Sequence, residues 1–344
     1  MNFGSFMEFH IREGHPQTEA FEESFQHVSV AEELGLDTIW LAESHFRPNR
    51  SVLSAPLVLA AAIAGRTKKI KIGTAVHILP LGNPLRIAEE VATLDHVSGG
   101  RFEFGIGRSG LPEAYNGYKI PYTESREIFY ESMEIIKKAF TEDTFSYSGK
   151  YNSYDEVCLT PKPLQKPHPP MRIAATTSET FTTLGEMGIP IFVGVRGLSL
   201  SDVAEQVILY RKALEKSNQS TGSILLRVPV HVAGSTEEAM EISESSFIKQ
   251  FRRLGSQLGN NATASLNTEG NTSKNLSEIN WSDIQGEKVA VGDPETVVRQ
   301  LTKMIEVLSL DGIAAEFNAG EEIPADKVQN SLELFCKKVM PSLR

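Results

Sequence analysis

A chain of 344 residues with 40% hydrophobic content is long enough to bury one large core or two medium ones, so length alone does not choose between them. With 34 basic against 44 acidic residues and a net charge of −10, it carries no electrostatic footprint for nucleic acid and would be repelled by an anionic membrane surface. Cys158 and Cys336 are too few for a disulfide framework and too isolated for a metal site, and the first residues lack the basic and apolar regions of a leader, which predicts a cytoplasmic protein with unpaired cysteines and no metal.

Short apolar runs alternate with longer stretches of helical period from the first residues onward. Residues 2–9 read as a strand, 18–34 as a helix opened by a Thr cap and closed by Gly35, and 37–42 as a second strand. An Ala-rich helix over 54–66 leads to a third strand at 70–78, a proline-started helix at 84–97 and a fourth strand at 101–106. A helix at 123–140 is followed by a local hairpin within 145–159 and a proline-rich stretch at 161–170, read as an excursion and not as a domain boundary. Strands at 171–175, 190–195 and 225–232 then alternate with helices at 178–187, 201–216 and 236–254. The Ser/Asn/Gly-rich tract 255–278 holds too little apolar content to pack and is expected to be a mobile lid insertion. A helix at 295–308, an eighth strand at 312–317 and a helix at 325–339 close the series. The repeat of about 30 residues is that of successive βα units. The expected fold is therefore α/β, a single TIM-type (β/α)8 barrel with insertions spanning 1–344, although an open doubly wound sheet would give a similar string.

In such a barrel the active site lies at the C-terminal ends of the strands. The polar residues there are Glu8 and His10, then Glu43, Ser44 and His45, then Thr74 to His77. The fourth strand ends in Gly105-Ile106-Gly107-Arg108-Ser109-Gly110, where the glycines admit close approach of a ligand and Arg108 supplies a fork for phosphate. The fifth ends in Thr176-Thr177-Ser178 before a helix N-terminus, whose free amides and partial positive charge favour an anion. The same residues also read as an ordinary N-cap and a tight strand exit. Nucleophile elbow, Walker, zinc-helix and kinase signatures do not occur.

Three segments carry a resemblance: Gly35-Leu36-Asp37-Thr38-Ile39-Trp40-Leu41-Ala42-Glu43-Ser44-His45-Phe46, Ile72-Gly73-Thr74-Ala75-Val76, and Leu94-Asp95-His96-Val97-Ser98-Gly99-Gly100-Arg101-Phe102. Over nearly its whole length the chain resembles the bacterial luciferase-like, flavin-dependent monooxygenases. The resemblance implies reduced FMN, supplied by a separate flavin reductase, reacting with oxygen to give a peroxide at flavin C4a that oxidises a small organic substrate. It implies that Ala75-Val76 forms a bulge, often through a non-proline cis bond, on which the isoalloxazine ring rests. It places Arg108, Thr176, Thr177 and Thr180 at the flavin phosphate. Luciferase's paired histidines become Ser44-His45 here, and the cysteine beside its flavin matches Gly107, which is expected to leave more room above the ring. Both departures argue against light emission from a fatty aldehyde.

His45, with Ser44, is the candidate for moving a proton; the competing reading is a histidine that anchors its loop to a carboxylate such as Glu43. Glu8, His10 and His77 are weaker candidates, and His231, Glu316, Phe317 and Asn318 end strands without an assigned role. The resemblance further implies a homodimer, with the helix at 54–66 a candidate surface. The rival functions are a deazaflavin-dependent hydride-transfer oxidoreductase and a non-catalytic flavin-binding protein.

Overall fold

The computed structural model describes residues 1–195, 198–219, 222–261 and 276–344, with backbone alone at 257–261 and 277. Its strands are β1 (Asn2–Met7), β2 (Thr38–Leu41), β3 (Lys71–Thr74), β4 (His77–Ile78), β5 (Phe102–Gly107), β6 (Phe145–Ser148), β7 (Ser153–Val157), β8 (Met171–Ala174), β9 (Ile191–Gly194), β10 (Ile224–Val232), β11 (Ala290–Gly292) and β12 (Gly312–Glu316). Its helices are α1 (Gln17–Glu33), α2 (Pro56–Arg66), α3 (Pro84–Ser98), α4 (Pro112–Tyr118), α5 (Ser125–Thr141), α6 (Ser178–Glu186), α7 (Leu200–Lys216), α8 (Thr236–Asn261), α9 (Trp281–Ile284), α10 (Pro294–Leu308), α11 (Ala325–Leu334) and α12 (Met340–Leu343).

Parallel pairing runs β1-β2-β3-β5-β8-β9-β10-β12 and returns to β1, where Gly4 faces both Thr38 of β2 and Ala314 of β12. The sheet is thus a closed eight-stranded barrel ringed by helices, and the open-sheet alternative is excluded. Closure brings large and small residues together inside. A Cβ at Gly73 would lie 2.3 Å from the Trp40 ring, one at Gly4 2.7 Å from it, and one at Gly105 1.8 Å from the Thr74 carbonyl. Trp40 and Phe192 meet edge to face at 5.0 Å and fill the space those glycines leave. The barrel interior is a packed core at this level, so a ligand must bind at the mouth.

Local chemistry fixes the connections. Pro84 starts α3, Asn83 Oδ1 caps its first turn by accepting from Leu85 and Arg86 amides, and Gly99 ends it at φ 66°. Ser199 and Asp202 form a reciprocal capping box on α7. At α1, in contrast, the chain enters through Pro16 without a side-chain cap, so Thr18 lies inside the helix and is not its cap.

Several sequence expectations need correcting. The single strand expected at 70–78 is two, because the chain bulges at Ala75-Val76 between β3 and β4. Helix α4, helix α9 and strand β11 were not foreseen; all three are short, and α4 sits between the Gly105–Gly110 strand exit and the helix expected at 123–140, where no element was assigned. Of the tract 255–278, the first part continues α8 to Asn261, and Leu276–Glu278 makes a 3-10 turn. Residues 262–275, which hold most of the expected lid, lie outside the described residues. The last expected helix passes through a π-helical turn at Phe335–Val339. The excursion over 145–159 is the antiparallel pair β6-β7, as read from the sequence.

Candidate active site at the barrel mouth

Strand order divides the mouth into two sides. β3, β5 and β8 stand opposite β10, β12 and β1. On the first side, β5 and β8 pair with Ile106 beside Ile173, so the chain leaves both strands at neighbouring points, one followed by Arg108 and the other by Thr176. Arg108 is half-buried; its Nη1 donates to Ser125 Oγ at 3.0 Å and its guanidinium lies over the Tyr122 ring at 5.3 Å. Tyr115 Oη donates to the Arg108 carbonyl and fixes the backbone there.

Thr177 is extended (φ −131°, ψ 151°) and caps α6; its Oγ1 lies 2.8 Å from Thr180 Oγ1 and accepts from the Thr180 amide at 3.4 Å. Thr176, Thr177 and Ser178 are exposed. Glu179 sits in this first turn but is held by Arg126 at 2.9 Å, so its charge is balanced. The N-cap reading is thus borne out for Thr177, and a helix N-terminus retains further amides beyond the one it caps.

Between β3 and β4 the Ala75–Val76 peptide is cis, the geometry the resemblance implies. The Ala75 amide donates to the Leu41 carbonyl at 2.6 Å, and Ala75, Val76 and His77 are all half-buried beside buried neighbours. Gly107 does not leave the expected space. A Cβ there would lie 2.5 Å from Val76 Cγ2, because β4 pairs with β5 and brings the bulge over this glycine.

Next to the bulge, Glu43 sits between two imidazoles. Its Oε1 lies 2.7 Å from His45 Nε2, its Oε2 lies 2.7 Å from His77 Nδ1, and Oε2 also accepts from the Ile78 amide at 3.1 Å. The side chain is 4% exposed. Burial pushes this carboxyl up, but the His77 charge and the contacts from His45 and His77 outweigh it and bring it down to about 2. His45 Nδ1 faces Tyr118 Oη at 3.4 Å, and Phe46, 61% exposed, packs on both rings. The structure thus joins His45 to Glu43, as the anchoring reading expects, with Nδ1 on the opposite side of the ring facing Tyr118. Ser44 is half-buried and donates its amide to the Leu53 carbonyl at 2.9 Å.

The opposite side is a wall of buried charge. Arg50 grips Glu8 through Nε at 2.8 Å and Nη2 at 2.6 Å, Arg227 grips Glu316 at 2.9 Å, and Arg227 Nη2 reaches Glu8 at 3.3 Å. Arg227 also lies 3.7 Å over the Phe6 ring. Burial alone would raise the Glu8 carboxyl, but Arg50 and Arg227 hold it well below the carboxylate range. Burial pushes His10 down against Glu8 and Glu321, which stands 3.5 Å from its Nδ1. Glu8, His10 and Glu316 come within 4.8 Å of one another, a spacing that suits a cation, yet two guanidiniums already occupy their carboxylates. His231 is buried further along β10 and is pushed down by that burial to about 4, and Asn318 Oδ1 is buried without a hydrogen-bond partner among the described residues.

Sequence reading missed Tyr118, Arg47, Arg50 and Arg227. Tyr118 lies on an unforeseen helix, and the two loop arginines follow a motif that ended at Phe46. Arg227 carried a usable signal: a lone charge in the apolar run of β10 must find a partner inside a barrel.

Residues 1–309 match the family described as luciferase-like monooxygenase. The alkanal monooxygenase alpha chain of Photorhabdus laumondii subsp. laumondii is 26% identical, covering 100% of this chain and 98% of its own. The monooxygenase RslO1 of Streptomyces bottropensis has a similar fold, with a TM-score of 0.85, 22% identity and full coverage of both chains (100% and 100%). The oxygenating constituent of 3,6-diketocamphane monooxygenase from Pseudomonas putida, solved in complex with FMN, gives a TM-score of 0.81 at 20% identity, covering 99% of this chain and 98% of that one.

Proposed function

The chain belongs to the luciferase-like monooxygenase family, and from that premise we propose that it binds reduced FMN delivered by a separate reductase and uses it with oxygen to oxidise a small organic substrate. The observation that carries this reading is that Arg108, the N-terminus of α6 and the Ala75–Val76 segment between β3 and β4 follow neighbouring strands on one side of the mouth.

The residues fit FMN. Arg108 with Thr176, Thr177 and Thr180 would hold the phosphate, where a guanidinium fork and helix amides suit a dianion. Ala75 and Val76, resting over Gly107, would back the ring. Bound reduced FMN supplies the two electrons that oxygen activation needs. The protein's part is to position and to shield. Glu43 fixes the His45 ring with Nε2–H toward the carboxylate, which leaves Nδ1 to accept or return a proton at the substrate, with Ser44 adjacent. Phe46 and Tyr118 offer an aromatic surface to an organic substrate and displace water from His45.

The proposed assembly is a homodimer through α2, whose buried residues Leu57, Ala60, Ile63 and Ala64 face the barrel while Val58 is 68% exposed. Among the described residues no helix is long and apolar enough to cross a membrane.

Binding of FMN, riboflavin and a deazaflavin to the wild type and Arg108→Met, followed by flavin fluorescence, tests the cofactor. FMN should bind more tightly than riboflavin, and the variant should lose about tenfold or more for FMN alone, as expected for a charge-assisted phosphate contact. Tighter binding of the deazaflavin than of FMN would favour hydride transfer. Oxygen uptake no faster than that of free reduced FMN would leave a flavin-binding protein without turnover.

A further inference from the structure

Arg47 differs from the other cations at the mouth. It follows Phe46 in the loop after β2, its side chain is only 16% exposed, and its nearest carboxylate is Glu113 Oε2 at 3.6 Å. That carboxylate belongs to a side chain 60% exposed on the first turn of α4. Among the described residues the Arg47 guanidinium makes no hydrogen bond, although it carries five donors.

The buried carboxylates nearby are already engaged. Glu8 is held by Arg50 and Arg227, and Glu321 by Arg253, whose Nη1 lies 2.9 Å away, with Lys249 at 3.7 Å. Burial and the adjacent Arg50 push the Arg47 guanidinium below its ordinary value, Arg253 adds to this, and Glu113 and Glu8 oppose it. A largely buried cation among other cations, with no short partner, is a costly arrangement that an anion relieves.

We propose that Arg47 binds a carboxylate on the organic substrate, with Arg50 and Arg253 adding positive potential behind it. The inference rests on the monooxygenase reading. The position is consistent with it: Arg47 stands in the loop that follows β2, its Glu113 contact lies on α4, the helix that ends in Tyr118, and the rings of Phe46 and Tyr118 both pack on His45. It is separate from the phosphate cradle, which lies after β5 and β8. A substrate anchored at Arg47 by its carboxylate lays its organic body across those rings.

The test is a panel of straight-chain and aryl carboxylates, from acetate and decanoate to phenylacetate, each paired with its neutral amide. Binding is read by saturation-transfer NMR on FMN-loaded wild type, Arg47→Gln and Arg47→Lys, with FMN affinity measured in parallel. At least one carboxylate should bind roughly tenfold more tightly than its amide, the size of a charge-assisted contact. Arg47→Gln should erase that preference, Arg47→Lys should keep part of it, and FMN affinity should not change. The proposal is overturned if no acid outbinds its amide, if Arg47→Gln keeps the preference, or if Arg47→Gln weakens FMN, which would assign Arg47 to the cofactor. Repeating the panel without FMN separates the two readings: failure to bind FMN sinks the flavin assignment, while the acid-to-amide comparison still decides Arg47.

Discussion

Glu43 shows how a single side chain sets the chemistry around it. Its carboxylate is buried and yet ionised because two imidazoles and the Ile78 amide surround it, and its hydrogen bond to His45 Nε2 in turn orients that ring. The stability consequence has a definite sign. A carboxyl depressed from 4.5 to about 2 on folding contributes stability above pH 4.5 and loses it as pH falls through 2. Glu43→Gln should therefore be less stable than wild type at neutral pH by up to about 3 kcal/mol, with the gap closing across that window. Denaturant unfolding at a series of pH values measures it, and a gap independent of pH would sink the assignment. His45 and Arg108 were legible in the sequence because they stand inside or beside recognisable strand ends. Arg47, Arg50 and Glu321 were not, since a loop arginine reads as solvated surface until the fold buries it against its neighbours.

Elements that carry the site are shaped by close approach more than by propensity. β3 and β4 were expected as one strand because their apolar pattern is continuous through Ala75 and Val76, and periodicity does not encode a change of peptide geometry. Gly105 is the tightest of these contacts. Gly105→Ala places a methyl 1.8 Å from the Thr74 carbonyl and 2.8 Å from Phe192, so β3 and β5 must separate. The expected loss is about 3 kcal/mol or more, read from thermal unfolding, and an unchanged midpoint would contradict this packing. α4 escaped notice for another reason: seven residues are too few for a helical period to stand out, and its N-cap Leu111 contributes no side-chain hydrogen bond. Tyr118, the last residue of that helix, was lost with it.

Across the whole molecule, ring closure decides which residues meet. It sets β3 opposite β10, so the bulge faces the wall built on Arg227, Glu8 and Glu316 across the mouth. Assembly belongs to this scale as well. Val58→Lys in α2 should convert the proposed dimer to a folded monomer in sedimentation velocity, because a lysine on an apolar paired face loses its hydration. A wild-type monomer, or a variant that stays dimeric, would remove α2 from the interface. The sequence by itself determined the eight βα units, their order, the family resemblance and the residues at strand ends, because hydrophobic period and short motifs are local properties of the chain. Only the tertiary structure decided that the sheet closes, that Val76 fills the space over Gly107, and that the cations of the wall are engaged while Arg47 is left without a short partner. Those outcomes depend on distances between segments far apart in the chain, and no local pattern records them.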